Sequence, residues 1–379
     1  MIYLDNSATT KVDQSVSESF NYVATKLFAN PSSIHNLGGE VEQLLRQSRE
    51  QIAQLLHVDQ SEVIFTSGGT EGNNLSIKGI ALEHQQRGKH IITTTTEHPS
   101  VYDACQSLEA LGFNITYLAV DQAGLIDIDE LKEAMTSETI LVSIMHVNNE
   151  TGAMQPIKQI GEIVADYPKA YFHVDYVQGA GKVPLDIKGS HIDLCTFSGH
   201  KIHGLKGTGI LYVKNGTTLY PLFHGGSQEY GVRSGTENVA GAVSFARALR
   251  LIYEKMENNE QPLTKLSNHL RQELSKVDRV IINSPENNSA PHILNVSLPG
   301  IKSEVMIHEL EAHHIYISTK SACSSKQSED SRVLVAMNVD KEIAQSALRI
   351  SLSYDNTEEE INIFVRRLKE SLTELSKVM

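Results

Sequence analysis

The chain has 379 residues, of which 40% are hydrophobic and 21% are charged. At about 150 residues per domain, this length predicts two or three domains. The formal net charge of -13 argues against a surface that binds nucleic acid or an anionic membrane. No apolar stretch approaches the roughly 18 residues of a membrane helix, and the first residues lack the pattern of an export signal. The three cysteines are too far apart for a disulfide framework or a zinc knuckle, so we expect a cytoplasmic protein.

Up to about residue 250, short apolar runs alternate with amphipathic stretches of helical period. The apolar runs predict strands at 63–66, 90–94, 115–120, 140–145 and 171–175. The stretches between them predict helices at 40–56, 73–87, 101–111 and 157–167. This alternation is typical of βαβ units, so the sequence predicts an α/β fold with a mostly parallel sheet flanked by helices.

The last third of the chain has a different pattern. A polar run at 257–262 follows a long helical stretch and predicts a boundary, after which we expect a smaller α+β unit. Thr357 and Glu360 have the spacing of a capping box, and the apolar stripe that follows them predicts a final helix packed on the core. We therefore predict a large domain of residues 15–255 and a small domain of residues 1–14 and 256–379.

Two glycine-containing turns each precede a helix and are candidate phosphate sites. The first, Ser67-Gly-Gly-Thr-Glu71, follows a strand, so that backbone N–H groups at the helix start could bind an anion, with Thr70 adding a hydroxyl. A tight turn from strand to helix also requires glycine, and this motif alone leaves both interpretations open. The second turn is 233–238, in which Thr236 could meet a phosphate.

Three titratable residues lie at strand ends, where an α/β sheet places its ligand crevice. Asp175 could cap the next helix or balance the charge of a protonated ring nitrogen. Lys201 could be a solvated loop residue or an uncharged amine that forms a Schiff base. His98 presents an imidazole to the same edge. His200 and His203 could suggest a metal, but no third ligand follows at helical spacing and the intervening lysine would repel a cation, so we expect none.

A phosphate cradle, a lysine amine and a carboxylate for a ring nitrogen are together what pyridoxal 5′-phosphate requires. With the motifs at 3–10, 30–35, 67–71, 96–98, 145–150, 173–178, 198–201, 233–236, 321–323 and 347–351, the chain resembles the cysteine desulfurases of the NifS/IscS type. These are fold-type-I pyridoxal-phosphate enzymes related to the class V aminotransferases. The resemblance covers nearly the whole chain and implies a homodimer.

The resemblance also implies roles for individual residues. Lys201 would hold the cofactor covalently and shuttle a proton, His98 would stack on its ring and serve in acid/base steps, and Asp175 would pair the ring nitrogen. Asn149 and Gln178 would hold the phenolic oxygen of the ring. The phosphate would be held by Gly69, Thr70, Ser198 and His200. Thr236 would reach the phosphate of the other subunit.

Arg349 is a candidate for binding the substrate, together with Asn149. It alternates with Leu348 and Ile350 on a predicted strand, so that taken alone it could face solvent. Beside a cofactor that handles amino acids, a bidentate clamp on the substrate carboxylate is the better interpretation, and the matching family position supports it.

Cys323 is the candidate nucleophile. It lies in a polar run, 318–332, with six serines in fifteen residues, whereas Cys105 and Cys195 lie among apolar residues and are expected to be buried. In the implied reaction the Cys323 thiolate takes the sulfur of substrate L-cysteine, which leaves L-alanine and a persulfide. Cys323 could also ligate an iron–sulfur cluster transiently. Lys320 stands where the family commonly has glycine and could favour the thiolate, or it could be a solvated loop residue.

The sequence therefore predicts a cysteine desulfurase that delivers sulfur to an acceptor protein, either an iron–sulfur scaffold or a tRNA thiolation enzyme. The enzyme alternative is a selenocysteine lyase or another class V lyase or aminotransferase, which would not need the thiol of Cys323. The non-enzyme alternative is a sulfur-carrier scaffold, which would need no Schiff base on Lys201. Ser227 and Tyr176 also depart from the residues usual in the family.

Overall fold

A computed structural model of the chain describes residues 1–258, 262–319 and 330–378. Within these ranges the helices are α1 (Gln14–Lys26), α2 (Asn36–Leu56), α3 (Gly69–His84), α4 (Pro99–Glu109), α5 (Ile128–Ala134), α6 (Ile157–Ala165), α7 (Val239–Asn258), α8 (Pro262–Leu274), α9 (Ser303–Ala312), α10 (Arg332–Ala336), α11 (Lys341–Gln345) and α12 (Glu358–Val378). The strands are β1 (Ile2–Tyr3), β2 (Val63–Thr66), β3 (His90–Thr94), β4 (Asn114–Leu118), β5 (Thr139–Met145), β6 (Tyr171–Asp175), β7 (Leu194–Ser198), β8 (Gly209–Val213), β9 (Ile281–Ile282), β10 (Ile293–Ser297), β11 (Ile315–Tyr316) and β12 (Ala347–Ser351).

The central sheet has seven strands in the order β2-β8-β7-β6-β5-β3-β4. The strands from β7 to β4 pair in parallel, and β8 alone runs antiparallel to its two neighbours. The predicted α/β fold with a mostly parallel sheet is therefore confirmed. Such a sheet is covered by helices on both faces, which explains why β3, β5 and β7 are buried along their whole length.

Alternate residues of these strands pack into two separate hydrophobic clusters. Ile92 and Val142 belong to one cluster, while their chain neighbours Ile91 and Leu141 belong to the other. Successive side chains of a strand point to opposite faces of the sheet, so the two clusters are the cores on its two faces.

The remainder of the chain forms smaller sheets with their own core. Strands β12, β10 and β9 form an antiparallel sheet, and β1 pairs in parallel with β11, so that the first residues join the last third of the chain. Leu4, Leu270, Val296, Leu348 and Phe364 are among the residues of this core. The domain boundaries given above remain a prediction.

The predicted elements agree with the observed ones mainly in the strands. Strands β2, β3 and β6 have the predicted bounds. Helix α2 begins four residues before the predicted start, because the His35 ring accepts a hydrogen bond from the Gly38 backbone N at 3.1 Å and caps the helix. Histidine is an uncommon cap, and the sequence pattern does not reveal it. The capping box is confirmed, since Thr357 Oγ1 accepts from the Glu360 N and Glu360 Oε2 accepts from the Thr357 N.

In the described part of the chain, no helix is both long enough and apolar enough to span a lipid bilayer.

Candidate active site

A cavity of about 140 Å³ lies where the carboxyl ends of the central strands meet. It brings together these residues of the predicted set: Gly69, Thr70, His98, Asn149, Asp175, Gln178, Ser198, His200, Lys201 and Arg349. It is also lined by residues outside that set: Ser7, Ala8, Asn73, Ser100, Met145, Val147 and Val177. A crevice at this edge is the usual ligand site of a parallel sheet, because the loops that follow the strands converge there.

The glycine turn at the start of helix α3 forms one end of the cavity. Gly68 has φ of 144°, a backbone conformation that favours glycine, and α3 begins at the next residue. A Cβ at Gly69 would approach Val177 Cγ2 to 3.0 Å, so the backbone lies close to the segment after β6. Backbone N–H groups in the first turn of a helix have no intrahelical partner, and here they face a pocket that also contains Ser198.

Asp175 ends β6 and is almost fully buried. Its Oδ1 accepts a hydrogen bond from the Val177 N at 3.0 Å, and its Oδ2 accepts one from Asn73 Nδ2 at 2.8 Å. A carboxylate has lone pairs for further donors, so Asp175 can still accept a hydrogen bond from a protonated nitrogen of a ligand. Asp175 does not cap a helix, because the residues that follow it form turns.

Lys201 lies in a short turn after β7, and its Nζ donates to the backbone oxygens of Ser7 and Ala8, the latter at 2.8 Å. Gln178 Nε2 donates to the same Ser7 oxygen at 3.1 Å. The backbone oxygen of Lys201 accepts from Lys182 Nζ at 2.8 Å, and burial lowers the pKa of Lys182 to about 7. The first residues of the chain are therefore a wall of the pocket.

Arg349 on β12 is 1% exposed, so the solvent-facing interpretation is excluded. Its guanidinium donates to the Asn149 backbone oxygen at 2.9 Å and to Asp5 Oδ1 at 3.0 Å. Its Nε is buried and has no hydrogen-bond partner among the described residues. Burial raises the pKa of Asp5, although Arg349 acts in the opposite direction.

The imidazole rings of the site differ in their surroundings. His98 is the N-cap of helix α4, and its Nδ1 lies 2.8 Å from Ser100 Oγ. Burial, and then the nearby Lys201, lower the pKa of His200 to about 4. His203, whose Nδ1 contacts the Lys11 backbone oxygen at 2.9 Å, belongs to a different environment. The described residues contain no group of three or more His, Cys, Asp or Glu side chains placed to hold a metal ion.

Thr236 is not part of this pocket. It lies with Ser67 and Thr208 on a second cavity of about 250 Å³, which is also lined by Arg233. Arg233 Nε donates to Glu71 Oε1 at 2.8 Å, so the two glycine turns are joined by an ion pair within one chain. Cys323 and Lys320 lie outside the described residues. Cys105 and Cys195 are buried, as predicted.

A family model for class-V aminotransferases matches residues 2–364 of the chain. The chain belongs to the class-V aminotransferase family. It is 47% identical over 383 residues to a NifS/IcsS protein homolog of Lactobacillus delbrueckii subsp. bulgaricus, covering 100% of this chain and 99% of that protein. It is 41% identical over 378 residues to cysteine desulfurase IscS of Dictyoglomus turgidum, covering 100% and 96%. A solved NifS-like protein superposes with a TM-score of 0.93 at 38% identity, covering 98% of this chain and 99% of that one. The predicted resemblance to the NifS/IscS type is confirmed.

Sequence reasoning missed several residues that line the pocket or contact a lining residue. Asp5, Ser7 and Ala8 lie in a motif that carried the resemblance, but nothing in their local pattern indicates contact with Arg349 or Lys201. Asn73 is the fifth residue of α3 and Ser100 the second of α4, positions that a polar surface residue could also occupy. Strand register and helix placement, which the sequence does not show, bring them together.

Proposed function

We propose that the protein is a pyridoxal-phosphate-dependent cysteine desulfurase, which converts L-cysteine to L-alanine and leaves the sulfur as a persulfide on Cys323. The observation that carries this proposal is a single pocket in which the Lys201 amine, the Asp175 carboxylate and the Arg349 guanidinium meet at the start of helix α3. Support also comes from the relative named a cysteine desulfurase.

The donor and acceptor groups of the pocket fit the proposed cofactor. Gln178 Oε1 and Arg349 Nε are buried without a hydrogen-bond partner among the described residues, although such atoms are normally paired. A polar ligand in the pocket would supply partners. The phosphate would bind at Gly69, Thr70, Ser198 and His200, the ring nitrogen at Asp175, and the phenolic oxygen at Asn149 and Gln178, with His98 stacked on the ring.

When bound, pyridoxal phosphate holds an amino acid covalently and accepts the electron pair that remains on carbon when a bond breaks. Lys201 would anchor the cofactor and then, as a released amine, move a proton. The oxygens of Ser7 and Ala8 give this amine a defined resting position. Val147 and Met145 add apolar surface to the lining of the same pocket.

Arg349 would bind the carboxylate of the substrate. Asp5 and the Asn149 backbone oxygen fix the guanidinium from one side, which leaves the buried Nε for a further acceptor. An arginine held in this way offers a planar donor set that matches a carboxylate, at little further entropic cost.

Cys323 would be the sulfur acceptor within the protein. Its thiolate attacks the substrate sulfur, so that a sulfur–sulfur bond forms as the carbon–sulfur bond breaks and carbon is protonated to give alanine. Ser318 pairs with Arg349 through two backbone hydrogen bonds, of 2.7 and 3.2 Å. Because five residues span at most about 18 Å, the chain length after Ser318 would allow Cys323 to reach the substrate site.

The residues that follow the 320–329 segment contact the surroundings of the pocket as well. Ser331 Oγ donates to Glu150 Oε2, and Arg332 donates to the Glu97 backbone oxygen, each at 2.5 Å. Glu150 follows Asn149 in the chain and Glu97 precedes His98. The residues on both sides of the segment therefore contact the neighbours of proposed site residues.

We further propose a homodimer in which Thr236 contributes to the phosphate site of the partner. Phe28 and Ile34, in the connection between α1 and α2, are 76% and 106% exposed, and Tyr230, close to Thr236 in the chain, is 61% exposed. A partner chain that covered these side chains would remove their apolar surface from water, which favours association. The persulfide would be passed to an acceptor protein of the cytoplasm, for iron–sulfur cluster assembly or tRNA thiolation.

The decisive experiment measures L-alanine and sulfide formed from L-cysteine by purified protein with added pyridoxal phosphate and a thiol reductant. We expect wild type and the control variant Cys105→Ala to form both products. Cys323→Ser should keep the visible absorbance of the bound cofactor and form neither product.

The alternatives predict other results. If Cys323→Ser released sulfide at the wild-type rate, a lyase mechanism without an enzyme persulfide would replace our proposal. If L-selenocysteine but not L-cysteine were consumed, the protein would be a selenocysteine lyase. If no cofactor absorbance developed at all, the sulfur-carrier scaffold would be favoured.

A further inference from the structure

The hydrogen bonds of His98 define which of its two ring nitrogens carries hydrogen. His98 caps helix α4, and its Nδ1 lies 3.2 Å from the backbone N of Ser100. A backbone N–H can only donate, so Nδ1 must accept and must be free of hydrogen. A protonated Nδ1 would place two N–H groups against each other.

The Ser100 hydroxyl makes a second contact with the same nitrogen, at 2.8 Å. The hydroxyl oxygen in turn accepts a hydrogen bond from Asn73 Nδ2 at 2.8 Å. Since the hydroxyl already accepts from Asn73, its own hydrogen is available for His98 Nδ1. Because the backbone contact already requires Nδ1 to be free of hydrogen, the Ser100 hydroxyl must be the donor to Nδ1.

The orientation of the Asn73 amide is fixed by Asp175. Nδ2 of Asn73 lies 2.8 Å from Asp175 Oδ2, and an ionised carboxylate only accepts hydrogen bonds. The opposite amide orientation would place the Asn73 oxygen against the carboxylate oxygen. The amide thus uses its two hydrogens on Asp175 and Ser100, and Asn73 Oδ1 is left buried without a partner in the described structure.

The donors consequently run in one direction, from Asn73 to both Asp175 and Ser100, and from Ser100 to His98. Asp175 fixes the orientation of the Asn73 amide, and the Ser100 backbone N–H fixes the direction of the hydrogen bond between Ser100 and His98. The neutral ring must then carry its hydrogen on Nε2, because a hydrogen on Nδ1 would point at the Ser100 backbone N–H.

The charged groups around His98 do not reverse this assignment. Burial is the largest influence and lowers the pKa of His98, and Lys201 and Arg332 act in the same direction. Asp175 and Asp103 act in the opposite direction. Asp175 is already engaged with Asn73, and Asp103 lies on α4 itself.

We propose that Asn73 and Ser100 are positioning residues that hold the resting His98 ring neutral with its hydrogen on Nε2, so that Nε2 begins the reaction as a hydrogen-bond donor. This inference rests on the proposed function, and it gives a defined starting state to the acid/base role that the resemblance implies for His98. A neutral imidazole donor polarises an acceptor atom without a change in its own charge.

The test is a long-range 1H–15N correlation spectrum of the holoenzyme labelled with 15N-histidine. The signals of His98, one of sixteen histidines, are identified by their loss in His98→Gln. We expect a nitrogen shift of the unprotonated type for Nδ1 and of the protonated type for Nε2 near neutral pH. A hydrogen on Nδ1 in the wild-type protein would overturn the proposal without any further variant.

Variants separate positioning from a merely structural role. Ser100→Ala removes the hydroxyl donor and should raise the titration midpoint of His98 by about one pH unit, since that hydrogen bond stabilises the neutral ring. The pH profile of kcat should gain a limb at the same midpoint. Ser100→Thr keeps a hydroxyl and should restore the wild-type midpoint. Ser107→Ala removes a hydroxyl that donates to the Ala104 oxygen on the same helix, and it should change nothing.

The outcomes distinguish this proposal from the proposed function. An unprotonated Nδ1 in a protein that forms no alanine from L-cysteine would support the tautomer assignment and overturn the desulfurase. Alanine formation with a protonated Nδ1, or an unchanged His98 midpoint in Ser100→Ala, would overturn the positioning role alone.

Discussion

The pocket has two walls that hold their side chains in different ways. One wall is formed by the central sheet, and the other is formed by the chain's first residues together with β12. Asp175 and Ser198 end the neighbouring strands β6 and β7, and Lys201 follows three residues after Ser198. Parallel pairing fixes the spacing of these residues as soon as the sheet forms.

The second wall joins distant parts of the chain. Asp5 and Arg349 form their ion pair across 344 positions, and Asp5 also makes a bridge to Ser351. This wall exists only when the first residues pack on the last third of the chain. In our proposal the sheet wall binds mainly the cofactor, and the second wall binds mainly the substrate. Substitutions in one wall should therefore affect cofactor binding and substitutions in the other should affect substrate binding.

The largest expected effect is on the sheet wall. Lys201→Ala should abolish the visible absorbance of the cofactor linkage and all alanine formation, because Lys201 carries the one side-chain amine among the described residues that line the pocket. Absorbance spectra before and after borohydride reduction measure the loss, with the exposed Lys206→Ala as the control. Recovery of the reduced pyridoxyl group on Lys206 of the wild type by peptide mapping would contradict the assignment.

A smaller and more selective effect is expected on the second wall. Arg349→Lys should raise KM for L-cysteine about 10- to 100-fold, the range expected for loss of a charge-assisted hydrogen bond, while the cofactor absorbance stays unchanged. Steady-state kinetics measure the change. Arg367→Lys, which alters an exposed ion pair on α12, is the matched control. An unchanged KM would show that the carboxylate binds elsewhere, and a lost absorbance would show that the two walls are not separable.

The third effect concerns stability and tests whether the protein interior around Glu97, beside the sheet wall, excludes water. Burial raises the pKa of Glu97 from 4.5 to about 8. Between these values the unfolded chain ionises while the folded protein keeps the proton, so the free energy of unfolding falls as pH rises. Glu97→Gln cannot ionise and should gain on the order of 4 kcal/mol relative to wild type across this range.

Urea unfolding at about pH 5 and about pH 8 measures this difference. Glu138→Gln, at an exposed position, should show no comparable gain. A difference between Glu97→Gln and wild type that is the same at both pH values would mean that Glu97 is ionised in the folded protein.

The two walls also differ in how much of them could be predicted. The strands β2, β3 and β6, the turn before α3 and the positions of Asp175 and Lys201 follow from local patterns, because strand period and turn chemistry depend on neighbours in sequence. His98 was placed at the same edge by its position after a strand, whereas Asn149 was placed by the resemblance alone. The caps formed by His35 and His98 were missed, since histidine is an uncommon cap and its role depends on ring orientation.

By itself, the sequence determined the α/β class, the sheet edge that holds the pocket, and the identity of the amine and the carboxylate that meet there. Only the tertiary structure decided that Asp5 orients Arg349, that Thr236 lies on a separate cavity within its own chain, and that Asn73 and Ser100 connect Asp175 with His98. The physical reason is that backbone periodicity is a short-range property. A hydrogen bond between remote side chains depends instead on how whole helices and strands pack, which no local pattern encodes.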